Sequence, residues 1–174
     1  KKSAPCAVPV ALLFLSADFA TAQEKEFVNP EDIVGLPDCI DPPHNGQCAK
    51  ACEKSLGNIG KTYRFKMAGW HKPKTDIVWG QGPYFYGSYV DEAATHKGLF
   101  KHEEAGFVKI KCVDNPAPAN GDDPAFIGNT QNGMTTSSLS WGEVYENTAA
   151  NGPKVVTAGA FEVTRFYVRS EGSE

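Results

Sequence analysis

The sequence predicts a mainly β protein: an antiparallel β-sandwich, with a β-barrel as the alternative, preceded by a short disulfide-stapled helical segment. Three observations carry this expectation. From Lys61 onward the apolar residues alternate rather than recur at helical spacing, in about seven short runs rich in β-branched and aromatic residues. Four Asn-Gly pairs, at Asn45, Asn120, Asn132 and Asn151, supply the positive φ angles of tight turns. Helical patterning is confined to two brief stretches before Lys61, which favours antiparallel β architecture over a parallel α/β sheet.

The elements follow in chain order. Residues 1–22 read as an export signal, with Lys1 and Lys2 as the basic start, an apolar run from Val8 to Phe19, and the small-residue pattern Ala20-Thr21-Ala22 before the expected cleavage. That run is shorter than the roughly 20 residues that span a bilayer, so a secreted or periplasmic protein without membrane insertion is expected. Residues 23–60 form the helical and loop segment. Asn29 is a natural N-cap and Pro30 suits the first helical position, so a short helical turn should run to Gly35. A second helix, capped by Asn45, should carry Cys48, Cys52 and Leu56 and stop at Gly57. Residues 61–174 form the β domain, with strands expected at 61–67, 76–79, 83–90, 107–113, 138–145, 154–157 and 160–169. Tyr63, Phe65 and Met67 share one face of the first, and Val108, Ile110 and Cys112 share one face of the strand at 107–113. Asn151-Gly152 marks a hairpin, and 114–136 reads as a long loop of the kind that is functional or mobile.

Composition narrows the function. Loss of the signal leaves 152 residues, one domain with a single core, at a formal charge of −5 against −4 for the whole chain. With three arginines, Arg64, Arg165 and Arg169, the chain lacks the basic footprint that nucleic acid requires. Beyond Cys6, the cysteines Cys39, Cys48, Cys52 and Cys112 are an even set, suited to two bridges in an oxidising compartment. The i, i+4 spacing of Cys48 and Cys52 directs one of them to Cys39 and the other to Cys112.

The candidate ligand-binding surface is aromatic. Trp70, Trp79, Tyr84 and Tyr86 crowd one stretch, and strand alternation would place Tyr84 and Tyr86 on a common face, a flat platform on which a sugar ring stacks. Core and cross-strand packing accounts for the same residues. Candidate metal ligands are His96 and His102, near Glu92, Glu103 and Glu104, although the interleaved Lys97 and Lys101 read as a solvated polar loop. Asp122 and Asp123, with Asp114 and Asn120, offer the oxygen ligands of calcium, while turn chemistry explains them without an ion, so no cofactor is required. No G-x-S-x-G elbow and no compact metal template occurs. The resulting expectation is an exported binding module for an extracellular or cell-surface glycan or protein. A β-barrel carrier of a small apolar ligand and a secreted hydrolase or metal enzyme using His96 to Glu104 are the alternatives.

Overall fold

A computed structural model describes residues 24–39, 48–67, 78–101, 103–116, 125–140, 145–146, 155–156, 158–170 and 172. Its main body is a six-stranded mixed sheet. Three antiparallel strands form the centre: β3 (Thr62–Met67), β5 (Gly106–Val113) and β10 (Ala160–Val168), with Tyr63 opposite Ile110 and Ile110 opposite Val163. The edges come from the N-terminal segment. β1 (Glu26–Val28) runs parallel to β10, and β2 (Asp38–Cys39) runs parallel to β3 at the opposite edge. β4 (Tyr84–Phe85) pairs with the start of β10, and two small hairpins complete the strands: β6 (Thr130–Gln131) with β7 (Met134–Thr135), and β8 (Tyr145–Glu146) with β9 (Val155–Val156).

The alternation of the central strands determines which face is buried. Val108, Ile110, Cys112, Phe161 and Val163 point into the core at no more than 0% exposure each, where burial of each larger aliphatic or aromatic side chain is worth about 1.5–3 kcal/mol. The same cluster takes in Tyr84, Val90, Ala93 and Ala94, the last three from helix α1 (Val90–His96), all of whose residues are buried. The helix can be so deeply set because Ala93 and Ala94 allow close approach. It stops where Gly98 takes φ +77°, with Gly98 N–H donating to Thr95 O (2.9 Å) and Leu99 N–H to Ala94 O (2.9 Å), the paired bonds of a Schellman cap. On the other face Glu26 bonds Arg64 at 2.7 Å and also Lys109, tying β1 to β3 and β5 over the top of Phe166.

Two disulfides anchor the N-terminal segment, Cys39–Cys48 and Cys52–Cys112, the second linking the 3-10 turn Cys48–Cys52 to the centre of the sheet. Cystine bridges of this kind suit an oxidising environment, and no described helix is long and apolar enough to cross a membrane.

Several expectations change. The protein is mainly β, but its sheet is mixed rather than purely antiparallel, because the segment expected to be helix and loop supplies two parallel edge strands. The sheet is open, with β1 and β2 as its ends, so the described strands form no closed barrel. Among the described residues no second large sheet covers this one: α1 packs on β10, and the β6–β7 hairpin packs on α1. The N-terminal helices are 3-10 turns, Pro30–Ile33, Cys48–Cys52 and Lys54–Leu56, the last ending at left-handed Gly57 as the sequence implies. The strand expected at 83–90 survives only as β4, after which the chain turns and enters α1. In the long loop, residues 125–136 hold buried Phe126, Met134 and Thr136 and form the β6–β7 hairpin around Asn132 (φ +49°) and Gly133 (φ +78°). The export signal at 1–22 lies outside the described residues.

Candidate functional site

The expected aromatic surface is divided by the turn after Phe85. Tyr84 faces the core at 0% exposure, its ring 5.7 Å from Phe161 and 5.8 Å from the His96 imidazole. It is therefore a core residue and not part of a solvent-facing platform. Burial also pushes its phenol far above the ordinary tyrosine range. Trp79 and Tyr86 are instead brought together, both half-buried, on either side of Phe85: Trp79 meets it edge-on at 5.7 Å, Tyr86 lies 4.6 Å from it, and Phe126 supports it at 5.6 Å. Trp70 lies outside the described residues.

Local backbone chemistry fixes this cluster. Trp79 N–H donates to Ser88 Oγ (2.9 Å), Phe85 N–H to Trp79 O (3.1 Å), and Gly80 N–H to Ser137 O (3.1 Å). Gly80 sits at φ +100°, and a Cβ there would come within 2.7 Å of Pro83 O, so only glycine closes the turn that holds Trp79 against Phe85. The turn exposes Gln81, whose Oε1 accepts from Asn129 Nδ2 at 2.8 Å. Gln81, Phe85 and Asn129 were not singled out from sequence. The Gly-Gln-Gly spacing of the turn was the available signal for Gln81, whereas nothing local marks Asn129.

His96 does not lie in a solvated loop. It is the last residue of α1, fully buried, with Nδ1 2.9 Å from Tyr84 Oη and Nε2 2.8 Å from Asn129 Oδ1. Because Asn129 turns its amide nitrogen to Gln81, its oxygen accepts from Nε2–H, and Nδ1 accepts the Tyr84 hydroxyl proton. Desolvation lowers the imidazole pKa, which the Asn129 bonds only partly oppose, so the neutral ring is favoured. Both ring nitrogens are thus engaged within the fold. Replacing Tyr84 by phenylalanine should remove one buried hydrogen bond and lower stability by about 1–3 kcal/mol, read from the urea midpoint.

The other candidate ligands are not gathered here. His102, Asp122 and Asp123 lie outside the described residues. Among the described residues no group of three or more His, Cys, Asp or Glu side chains is placed to hold a metal. Glu104 is ion-paired with Arg165 at 2.7 Å, and that hydrogen bond holds its carboxyl below the usual range. Asp114 is bonded to Lys54 at 2.8 Å, which lowers its pKa in the same way. The described part of the chain thus directs His96 and Glu104 to separate structural partners. Compared with known proteins, the chain matches no protein-family model and no curated protein.

Proposed function

We propose that the protein is an exported recognition module that binds a glycan of the extracellular space or a cell surface through Trp79 and Tyr86. The observation that carries this reading is the rigid Trp79–Phe85–Tyr86 cluster, half-buried on a floor of core residues, on the same turn as exposed Gln81. Sugars are held by this combination of an apolar ring surface for their C–H faces and fixed amides for their hydroxyls. The two disulfides support export, since such bonds persist in oxidising compartments.

A glycan array probed with and without chelator tests the reading, together with Trp79→Ala and Tyr86→Ala. Each variant is expected to lose at least about tenfold in affinity for any bound glycan. Each should retain cooperative unfolding, because half-buried side chains contribute less to the core than buried ones. Binding that survives in both variants overturns this assignment of the surface. A blank array with capture of a defined surface protein would transfer the same cluster to protein recognition.

A further inference from the structure

A chain of side-chain hydrogen bonds runs from the core to the surface of the turn that carries Trp79. Tyr84 Oη lies 2.9 Å from His96 Nδ1, His96 Nε2 lies 2.8 Å from Asn129 Oδ1, and Asn129 Nδ2 lies 2.8 Å from Oε1 of exposed Gln81. Its members come from β4, from α1, from the segment entering β6 and from the turn at 80–82. We propose, resting on the recognition surface assigned above, that this chain fixes Gln81 Nε2 outward as a donor and so selects a neutral carbonyl acceptor, the acetamido group of an N-acetylated glycan.

The direction of the chain is decided at its buried end. Tyr84 is at 0% exposure, and among the described residues the imidazole is the hydrogen-bond partner of its hydroxyl. Pointed anywhere else, the phenol proton would be a buried donor without an acceptor, so it points at Nδ1. The imidazole then carries its own proton on Nε2 and donates to Asn129 Oδ1, which leaves Asn129 Nδ2 to face Gln81. The backbone of Asn129 is held in place: its N–H donates to Thr136 Oγ1 (3.1 Å) and its carbonyl accepts from Thr136 N–H (2.8 Å). Gln81 therefore accepts at Oε1 from within the fold and turns Nε2–H to the solvent, each bond polarising the next in the same sense.

The neighbouring polar chemistry favours the same ligand group. Trp79, two residues before Gln81, adds an indole N–H, which donates and does not accept. A sugar hydroxyl meeting these donors still has its own proton to place, whereas a carbonyl oxygen has none. The segments that build the surface, 78–89 and 125–140, contain no lysine or arginine, so a carboxylate would lack a counter-charge there and the neutral carbonyl is the fitting acceptor. The acetamido methyl adds apolar surface for the rings of Trp79 and Tyr86, which stand 5.7 Å and 4.6 Å from Phe85.

Chitotetraose and cellotetraose test the selection, since they share one glucan backbone and differ in an acetamido group in place of a hydroxyl. Calorimetric titration of the wild type should show chitotetraose binding about three- to tenfold more tightly, the worth of one added hydrogen bond. A hydroxyl donates or accepts and tolerates either end of the Gln81 amide, but a carbonyl does not, so the ratio of the two affinities reads the direction of that amide. Asn129→Asp removes the donor to Gln81, which then turns Nε2 inward to the carboxylate and presents Oε1. The ratio should fall to about one or below. Gln81→Glu, at an exposed position, should lower the ratio in the same way and decides the matter even if Asn129→Asp does not fold. Damage to the fold alone would weaken both sugars alike and leave the ratio unchanged. A ratio that stays at the wild-type value in both variants overturns the proposal. No preference for chitotetraose in the wild type, with glycan binding that Trp79→Ala abolishes, overturns it too and leaves the recognition surface standing, whereas a protein that binds no glycan ends both.

Discussion

Replacing Cys52 and Cys112 together by alanine is expected to destabilise the protein by about 4 kcal/mol, against about 2.5 kcal/mol for the Cys39 and Cys48 pair. The difference comes from the unfolded chain, since the first bridge closes 60 residues of sequence separation and the second only 9. Packing adds to the first, because Cys52 and Cys112 are both at 0% exposure inside the main core and their sulfurs leave a void. Urea denaturation of the two double variants, unfolded under non-reducing conditions, gives the comparison directly. Equal losses in the two, or a loss below about 1 kcal/mol for the buried pair, would show that the entropy of the unfolded chain does not govern this fold.

Gly159→Ala should cost at least about 3 kcal/mol, at the upper end for overpacked positions. A Cβ on residue 159 would overlap Cys52 O and lie 2.8 Å from Cys52 C and 3.0 Å from Lys54 N. These are backbone atoms of a segment held by a disulfide, so neither side yields without moving the turn off the sheet. The displacement would also strain the bond from Tyr86 N–H to Gly159 O, 3.0 Å, and with it the seating of the aromatic cluster. Gly57→Ala provides the contrast. Gly57 has φ +65° and nothing within 4 Å of its would-be Cβ, so only the backbone preference is lost, about 1 kcal/mol. Thermal melts of both variants that coincide would contradict the steric explanation.

Much of the sheet was legible because its strands obey a simple period. Tyr63, Phe65 and Met67 point toward the core, Cys112 lies inward with Val108 and Ile110, and β10 occupies nearly the whole of its expected range. The cysteine spacing sent one of Cys48 and Cys52 to Cys39 and the other to Cys112, and the structure decides which: Cys48 joins Cys39 and Cys52 joins Cys112. The edge strands were not legible, since β1 and β2 have three and two residues and are defined by partners far along the chain. Helix α1 was hidden for a different reason. A seven-residue helix buried on every side shows no amphipathic stripe, and its polar residues Asp91, Glu92, Thr95 and His96 imitate an exposed loop. Its termini did carry a signal: acids in the first turn, His96 in the last and Gly98 just beyond. The site suffered most from the missed helix, because once the chain turns after Phe85 the alternation that would have paired Tyr84 with Tyr86 no longer applies. Asn129 reaches His96 and Gln81 across long stretches of sequence, a meeting that no local pattern announces.

The placement of β1 has a bearing on the order in which the protein can be completed. Glu26 lies opposite Phe166, so during synthesis β1 has to wait until β10, far later in the chain, has followed it before the two can pair. Cys39 and Cys48 can find each other early, whereas Cys52 must wait for β5 to arrive with Cys112. Pairings at such separation form slowly, because the intervening chain has to be ordered first. A chain delivered from its N-terminus therefore remains unclosed until β10 emerges, and the edge that would otherwise offer an unpaired strand is finished in the same step that completes the core.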